Sequence, residues 1–475
     1  MLLPLLCRCL VTAFCARCVT SLHFPSRRVG GVSTRRRSPT DQLHCCREHI
    51  PLSNRALVFI LNLSMQTVFA DRLRSIAEQS SEPPLRTVIT GGLGQVIVRR
   101  LEYRSIHIQS LLVEQVKHRP LVWVIRRKLE GTTHYDDGFQ LGRALADALR
   151  AMYGESSVLL TDVVRPTSNV GPFRYLDVLD ERSLDTAIVE HRANTLVHYS
   201  ALLSAVGEAD VRRALAVNVD AVQRVLEVSR RHNLKLFLPS TMGAFGPDTP
   251  RVQTPDVTVQ RPRTIYGVSK VFAERLGEYY QSRYGVDFRS LRFPGIISAV
   301  KPGGGTTDYA IAIFYDALTT GHHECFLRAD TRLPMMYGTD CTASVVQMLH
   351  ADSESLKLRT YNVTSFSFTP AELASAIQAH IPDFRISYKP CPLRQAIGPS
   401  LAILSSISFG ARQLSAESWP ESMNDDGARC DWGWRNSVDL QQMVALMLEE
   451  VGQQIAASKS HTSSTTEPIA AAASR

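Results

Sequence analysis

The stretch Arg261-Pro-Arg-Thr-Ile-Tyr266-Gly-Val-Ser-Lys270 places a tyrosine four residues before a lysine. On an α-helix, residues at positions i and i+4 lie on the same face, so the lysine ammonium group can approach the phenol. A free tyrosine has a pKa of about 10 and is a poor base near neutral pH, but a neighbouring cation favours its ionised form. The pair therefore predicts Tyr266 as a general base and Lys270 as its modulator.

Helices contain such pairs by chance, and two upstream features support the interpretation. Ser240-Thr241 follows an apolar run, Leu234–Leu238, that is typical of a buried strand. Farther upstream, the glycine-rich turn Thr90-Gly91-Gly92-Leu93-Gly94 ends the predicted strand Arg86–Thr90. Glycines at this point let the backbone approach a pyrophosphate at a helix N-terminus, which predicts a dinucleotide site. An ordinary turn is the alternative for a glycine cluster alone.

Strands and helical segments alternate from residue 86 to residue 293. This alternation predicts an α/β fold with a doubly wound parallel sheet, as in the NAD(P)-binding Rossmann fold. The later strands are predicted at Ser157–Leu160, Phe173–Leu176, Thr195–Tyr199, Leu234–Leu238 and Phe288–Phe293. The helices are predicted at Leu141–Met152, Asp180–His191, Glu208–His232 and Tyr266–Tyr284. The more irregular segment 299–450 should form a smaller lobe over the carboxyl edge of the sheet, where ligands bind in this architecture.

The net charge of +8 is concentrated near the N-terminus, because residues 1–80 contain eleven arginines, no lysine and four acidic residues. The first 40 residues contain seven arginines and no acidic residue, a composition typical of a mitochondrial transit peptide. The apolar Met1–Leu6 leaves a secretory signal as the alternative. The remaining chain is nearly neutral, which argues against nucleic acid as a partner. Ala56–Ala70 is too short and too polar for a good membrane span, so no membrane partner is expected.

The ten cysteines do not indicate a metal site or a disulfide framework. Six of them lie in the predicted leader, and the others, Cys325, Cys341, Cys391 and Cys430, are widely spaced. Because no Cys-x-x-Cys pair lies among these four, we expect no bound metal.

Two carboxylates follow predicted strands. Asp162 comes after the second strand, where a carboxylate would accept hydrogen bonds from the adenosine ribose and repel a 2′-phosphate, so NAD is favoured over NADP. A turn or helix cap is the alternative for Asp162. Asp177, after the third strand, could bond the adenine edge or simply be a turn residue. Ser200-Ala201 follows the fourth strand and should lie beside the cofactor, whereas His198 is interpreted as a packed strand residue.

Six longer motifs accompany these elements: His198-Tyr-Ser-Ala-Leu-Leu-Ser-Ala-Val-Gly-Glu208, Pro239-Ser-Thr-Met-Gly-Ala-Phe-Gly246, Gln260-Arg-Pro-Arg-Thr-Ile-Tyr-Gly-Val-Ser-Lys270, Phe293-Pro-Gly-Ile-Ile-Ser298, Gly303-Gly-Gly-Thr-Thr-Asp-Tyr309 and Arg332-Leu-Pro-Met-Met-Tyr337. With them, the chain from about 86 to 450 resembles the short-chain L-threonine 3-dehydrogenases, a group of extended short-chain dehydrogenases/reductases. The resemblance implies a metal-free, NAD-dependent homodimer of the mitochondrial matrix. It also implies oxidation of L-threonine at C3 to L-2-amino-3-oxobutanoate, in the degradation of threonine to glycine.

The resemblance also implies roles for individual residues. Tyr266 would take the substrate proton, Lys270 would also bond the nicotinamide ribose, and Thr241 with Ser240 would orient the substrate hydroxyl. Ser204, Thr306 and Trp419 match positions that contact the amino acid, although Trp419 could be a core residue and Thr306 a turn residue. The expected NAD site comprises Gly91, Gly92, Leu93, Gly94, Gln95, Gly142, Asp162, Val163, Val164, Asp177, Val178, Ser200, Ala201, Tyr266, Lys270 and Ile296.

Two insertions depart from the family pattern. That pattern runs directly from Gly-Leu-Gly-Gln into Leu-Gly, whereas here residues 96–140 separate Gln95 from Leu141, so that Gly142 would serve as the third glycine. A second insertion spans about 398–415. Because removing both restores continuity, our hypothesis is that they are retained intron sequence.

These observations divide the chain into four predicted parts. They are a transit peptide and poorly ordered leader at 1–80, a Rossmann NAD-binding domain at 85–298, an interleaved substrate-binding lobe at 299–455, and a disordered tail at 456–475. Two alternatives for function stay open. One is a nucleotide-sugar epimerase or dehydratase of the same fold. The other is an inactive isoform or binding protein, because the first insertion interrupts the glycine-rich loop.

Overall fold

The computed structural model describes residues 69–73, 75–76, 85–91, 141–166, 168–300, 305–390 and 417–463. The predicted leader before residue 69, Gly92 to Gln95 and both insertions lie outside the described residues. Within the described part of the chain, no helix has the length and apolar character needed to cross a membrane.

Seven parallel strands form the central sheet, in the order β10-β6-β5-β4-β1-β2-β3. The order reverses between β1 and β4, which is the point where ligands bind in open α/β sheets. The predicted doubly wound parallel sheet is therefore confirmed. The strands are β1 Thr87–Thr90, β2 Val158–Asp162, β3 Phe173–Tyr175, β4 Thr195–His198, β5 Lys235–Thr241, β6 Asp287–Phe293 and β10 Thr360–Asn362.

Both faces of this sheet are buried, as in other parallel sheets covered by helices. Side chains alternate between the faces, so that register partners on β1, β4 and β5 pack together. Val88, Leu196 and Leu236 belong to one apolar cluster, and Ile89, Val197 and Phe237 belong to the other. Each such side chain, when fully buried, contributes roughly 1.5–3 kcal/mol.

The helices of the sheet domain are α1 Leu141–Tyr153, α2 Glu181–His191, α3 Ser204–Ala209, α4 Val211–Leu215, α5 Ala221–Arg231 and α6 Ile265–Tyr284. The single helix predicted at Glu208–His232 is instead divided. Asp210 ends the first piece and caps α4 by accepting a hydrogen bond from the Arg213 N–H at 3.0 Å. A π-helical turn, Ala216–Asp220, then separates α4 from α5. The Asn218 side chain in this turn bonds both the N–H and the carbonyl of Leu202. Apolar periodicity does not reveal this interaction, so it could not predict the break in the helix.

The smaller lobe contains a three-stranded sheet of β7 Gly295–Ile297, β9 Leu333–Tyr337 and β11 Phe366–Phe368. A second, two-stranded sheet pairs β8 His322–Cys325 with β12 Arg385–Tyr388. The helices here are α7 Tyr309–Thr319, α8 Gly338–His350, α9 Pro370–Gln378, α10 Asp426–Asp431 and α11 Leu440–Ser463. Because β10 joins the central sheet, this lobe is interleaved with the sheet domain.

Two boundaries differ from the predicted ones. Residues 69–73 are helical, and Leu73 packs in the core, so the end of the predicted leader belongs to the folded protein. Arg72 donates a hydrogen bond to Gln347 Oε1 at 3.0 Å and lies over the Trp434 ring. At the other end, α11 continues to Ser463 and so extends into the tail predicted from residue 456.

Candidate active site

Tyr266 lies in the first turn of α6, which begins at a well-capped N-terminus. The Thr264 hydroxyl accepts a hydrogen bond from the Gly267 N–H at 3.0 Å. Glu208 Oε1 accepts another from the Ile265 N–H at 2.8 Å. These two acceptors satisfy backbone donors that a helix N-terminus leaves free, and they fix the turn that carries the phenol.

Thr241 is the last residue of β5 and lies against this turn. Its hydroxyl accepts a hydrogen bond from the Gly243 N–H at 3.1 Å and also bonds the Tyr266 hydroxyl. The structure therefore brings together two of the residues predicted to handle the substrate hydroxyl.

Lys270 lies one turn after Tyr266, as its spacing predicts. Its Nζ is 5.6 Å from the centre of the Tyr266 ring and donates a hydrogen bond of 2.7 Å to the Pro239 carbonyl. Burial lowers the pKa of Lys270 to about 8, and the nearby Glu274 acts in the opposite direction.

The expected depression of the Tyr266 pKa is absent from the structure. Burial raises that pKa to about 12, and the hydrogen bond from Thr241 offsets only part of the increase. The physical reason is the cost of removing a phenolate from water, which the residue spacing does not show. A further positive charge beside the ring is needed for Tyr266 to act as a base near neutral pH.

His198 ends β4 and is 2% exposed. Its Nδ1 forms a 2.7 Å hydrogen bond with the Thr90 hydroxyl. Burial, together with the Lys270 ammonium, lowers the pKa of His198 to about 3, so the imidazole is neutral. Its Nε2 has no hydrogen-bond partner among the described residues. His198 lines a small cavity together with Ser200, Ala201 and Lys270.

The ends of β1 and β4 approach each other at Gly91. This residue has φ +67°, and a Cβ atom there would lie 2.6 Å from the Ser200 backbone nitrogen. Only glycine fits this approach without a shift of the backbone. A glycine turn at the carboxyl end of β1 is the local structure that a dinucleotide pyrophosphate needs.

Asp162 ends β2 at the same edge, because Thr90 and Thr161 are register partners in the sheet. Its carboxylate is buried and accepts a hydrogen bond from the Val164 N–H at 3.0 Å. Asp177 is exposed and accepts from the Leu179 N–H at 2.9 Å in a similar turn. Of the other predicted NAD residues, Val163 is exposed, Val178 packs in the core, Gly142 is buried in α1 and Ile296 is half-buried on β7.

Trp419 lies beside the Thr241 turn and is 9% exposed. A Cβ atom built on Gly243 would be 3.7 Å from Trp419 Cζ2 and 3.5 Å from Thr241 Oγ1. The Trp419 carbonyl accepts a hydrogen bond from Arg251 Nε at 3.1 Å. Thr306 is buried just before α7, and the Ser204 backbone begins α3, although the side chain of Ser204 lies outside the described part.

The Ser240 side chain does not lie beside Tyr266 as the Thr241 side chain does, but bonds a buried carboxylate instead. Its hydroxyl is buried and donates to Glu274 Oε1, which the sequence analysis did not single out. The pattern Tyr-x-x-x-Lys-x-x-x-Glu was the available signal, since it repeats the i, i+4 spacing once more. Among the described residues, no group of three or more metal-ligating side chains occurs.

Comparisons with known proteins agree with this geometry. Residues 138–364 match the NAD dependent epimerase/dehydratase family. The chain is 50% identical to mitochondrial L-threonine 3-dehydrogenase of Bos taurus over 319 residues, which cover 66% of this chain and 81% of the bovine protein. The crystal structure of L-threonine dehydrogenase from Phytophthora infestans is 38% identical, with a TM-score of 0.63, and covers 78% of this chain and 99% of that one. A monomeric L-threonine 3-dehydrogenase from a metagenome is 31% identical, with a TM-score of 0.62, over 78% of this chain and 99% of its own.

Proposed function

Because the chain belongs to the NAD-dependent epimerase/dehydratase family, and within it to the L-threonine 3-dehydrogenases, we propose that it oxidises L-threonine at C3 to L-2-amino-3-oxobutanoate with NAD. The observation that carries the proposal is the contact between Thr241 and Tyr266, with Lys270 5.6 Å from the Tyr266 ring. These groups lie at the carboxyl edge of the sheet, where this architecture binds its ligands.

In the proposed mechanism, the substrate 3-hydroxyl bonds Thr241 and Tyr266. Tyr266, as phenolate, takes the hydroxyl proton, and the Lys270 ammonium stabilises the phenolate charge. When bound, NAD would accept the hydride from C3, and the positive charge of its oxidised ring would favour ionisation of Tyr266. His198 stays neutral beside Lys270, so it does not repel the Lys270 ammonium.

The residues present fit NAD. Gly91 leaves room where a Cβ atom would collide with Ser200, and the Asp162 carboxylate lies one strand away at the same edge. We assign Asp162 to the adenosine ribose, where its charge disfavours NADP. Asp177, Val163, Val164, Ser200, Ala201 and Ile296 are proposed to complete the site, together with Gly92 to Gln95 and Gly142.

We assign Trp419, Thr306 and Ser204 to the substrate. Trp419 supports the assignment best, because its ring lies beside the Thr241–Gly243 turn. A buried indole there would exclude water from the reacting carbon, which strengthens the interactions with the developing charge.

We further propose the mitochondrial matrix as the location, with the transit peptide upstream of residue 69. Support comes from the arginine-rich leader and the bovine relative's name. We propose that cleavage occurs before residue 69, because Leu73 packs in the core of the folded protein. Import of a fusion between residues 1–68 and a reporter protein into isolated mitochondria tests this proposal, and a reporter left outside would contradict it.

A homodimer is proposed because adjacent helices expose apolar side chains. Val211 and Leu215 on α4 are 43% and 42% exposed, and Val268 on α6 is 49% exposed. A second copy of the chain would bury these side chains. Since one relative is named as monomeric, light scattering on the wild type and on Leu215→Asp is the direct test. A monomeric wild type would contradict the proposal.

The function is tested by following NADH formation at 340 nm from NAD and L-threonine, with D-threonine and NADP as controls. We expect turnover with L-threonine and NAD only. Turnover of a UDP-sugar in place of threonine would favour the epimerase or dehydratase alternative that the family name includes. A folded chain that neither binds NADH nor turns over would favour an inactive isoform, because the first insertion interrupts the glycine-rich loop.

A further inference from the structure

A buried charged cluster lies directly behind the end of β5. Glu274, two helical turns after Tyr266, and Arg292 on β6 are each 1% exposed. Arg292 Nε donates to Glu274 Oε1 at 3.0 Å, and Nη2 donates to Oε2 at 2.8 Å. This two-bond arrangement fixes the orientation of the carboxylate as well as its position.

Three further side chains donate hydrogen bonds to the Glu274 carboxylate, and the longest of these bonds comes from Arg275 Nη2 to Oε2 at 3.4 Å. The Ser240 hydroxyl donates to Glu274 Oε1, and Gln260 Nε2 donates to Oε2 at 2.9 Å. Arg292 is itself held by the Asp256 carbonyl at 2.7 Å and by Asn362 Oδ1 at 3.3 Å. Burial alone would raise the pKa of Glu274, but Arg292 and these hydrogen bonds hold that pKa below its ordinary value. The group is therefore a carboxylate.

The cluster connects the two elements that must meet for the proposed reaction. Ser240 immediately precedes Thr241 on β5, and Glu274 belongs to the helix that carries Tyr266 and Lys270. A bond between Ser240 and Glu274 therefore links the strand end to the helix on the side away from solvent.

Resting on the proposed function, we propose that Glu274 is a positioning residue, whose carboxylate holds Ser240, and hence Thr241, in fixed relation to the helix that carries Tyr266 and Lys270. Ser240 then acts through Glu274 and does not itself contact the substrate. A displacement of about 1 Å at such a site reduces the rate by up to about 100-fold.

Glu274 also raises the pKa of Lys270 through its negative charge, and this effect does not depend on its hydrogen bond to Ser240. Within the described part of the chain, the titratable groups facing Lys270 are Tyr266 and Glu274 on its own helix and His198 at the end of β4. Since His198 is neutral, the Glu274 carboxylate is the anion that favours the Lys270 ammonium. Removal of this charge should make Lys270 lose its proton at a lower pH.

Three variants test the positioning role. Ser240→Ala removes only the link between strand and helix and should lower kcat roughly tenfold, with the KM for threonine little changed. Ser240→Thr keeps the hydroxyl and should restore much of the rate. Glu278→Gln is the matched control, since it removes a carboxylate one turn farther along the same helix, and it should behave as wild type.

A charge-free variant tests the electrostatic effect. Glu274→Gln alone leaves Arg292 unpaired, so Glu274→Gln is combined with Arg292→Met to keep the interior neutral. The alkaline limit of the kcat profile should move to lower pH by roughly half a unit or more, and Ser240→Ala should leave that limit in place. Thermal unfolding of every variant confirms that it is folded.

The outcomes separate this inference from the proposed function. A wild type that does not oxidise L-threonine overturns the function, and the pH midpoint of NADH binding, followed by fluorescence, then tests whether Glu274 controls Lys270 ionisation. Unchanged kcat in Ser240→Ala, or an unmoved pH limit and NADH midpoint in the double variant, overturns the inference. Equal losses in Ser240→Ala and Ser240→Thr would overturn it as well, because packing would then be the cause.

Discussion

Gly267 and Gly243 approach each other so closely that a Cβ atom on Gly267 would lie 2.2 Å from the Gly243 carbonyl oxygen. The contact joins the first turn of the helix carrying Tyr266 to the turn that follows Thr241. The separation of these two backbones therefore sets the Tyr266–Thr241 contact on which the proposed chemistry depends.

Gly267→Ala should consequently impair both stability and catalysis. Overpacking of this kind costs about 1–3 kcal/mol, and displacement of Tyr266 should lower kcat by roughly ten- to a hundredfold. Urea unfolding and NADH formation measure the two effects. Gly452→Ala is the control, because this helical glycine has its nearest neighbour, Leu318 Cδ1, at 4.0 Å. Wild-type kcat in Gly267→Ala would show that the contact does not set the site geometry.

Tyr266→Phe should remove the proton acceptor and leave the fold intact. General-base catalysis typically contributes about 10²- to 10⁴-fold, so kcat should fall within that range. NADH binding should change little, because the aromatic ring and Lys270 remain. Tyr279→Phe, an exposed change on the same helix, serves as the control. If Tyr266→Phe turned over near the wild-type rate, another group would have to be the base.

His198 makes the folded protein sensitive to acid. Its pKa falls from 6.5 to about 3 on folding, so below pH 6.5 the unfolded chain binds a proton that the folded protein does not. The free energy of unfolding therefore falls as pH decreases from about 6.5 towards 3, with a slope approaching about 1.4 kcal/mol per pH unit from this residue. His198→Asn should show a shallower acid slope in urea titrations between pH 6.5 and 4. Equal slopes would mean that His198 is protonated in the folded state.

The central sheet could be predicted because its strands are continuous apolar runs between turn signals. The cores of the six strands predicted between residues 86 and 293 were located correctly, but the seventh strand of the sheet, β10, was not predicted. Strand β2 also continues through Thr161 and Asp162, whose backbones pair even though their side chains are polar. The sequence also predicted that Tyr266 and Lys270 share one face of a helix, since helical spacing alone determines this.

The buried charged cluster could not be predicted in this way. Arg292 lies on a strand and Glu274 on a helix, and periodicity treats both as exposed residues, yet each is 1% exposed. Their burial depends on mutual pairing, which is a property of the folded chain. The raised pKa of Tyr266 could not be predicted for the same reason. The sequence spacing revealed the neighbouring cation, but the loss of solvent around the phenol depends on the fold.

Asp162→Asn should weaken NAD selectivity without disrupting the turn. Asparagine retains an oxygen that can accept the bond from the Val164 N–H, which is 3.0 Å from Asp162 Oδ1, but it lacks the charge. We expect kcat/KM for NAD to fall roughly tenfold, equivalent to about 1.4 kcal/mol, and the preference over NADP to decrease. Asp177→Asn, in a similar turn one strand farther out, is the control and should have a smaller effect. An unchanged NAD-to-NADP ratio would exclude Asp162 as the ribose ligand.

Removal of residues 96–140 and 398–415 should give a folded and more active enzyme. On either side of the first insertion, β1 and β2 are paired in register, and α1 contributes Leu145 and Leu149 to the cluster that contains Ile89 and Leu160. The strand–helix–strand unit is therefore complete without the inserted residues.

Loop-closure entropy changes by only about 0.6 kcal/mol per doubling of length, so stability should change little on deletion. Deletion would, however, place the Gly91 turn directly before α1, whose N-terminus should then bind the pyrophosphate more tightly. Compared with the full-length chain, the dissociation constant for NADH should fall and the rate of threonine oxidation should rise. Transcript sequencing across codons 95 and 141 would show whether the shortened message exists. A shortened protein that folds but oxidises threonine more slowly than the full chain would instead assign the inserted residues a part in the site.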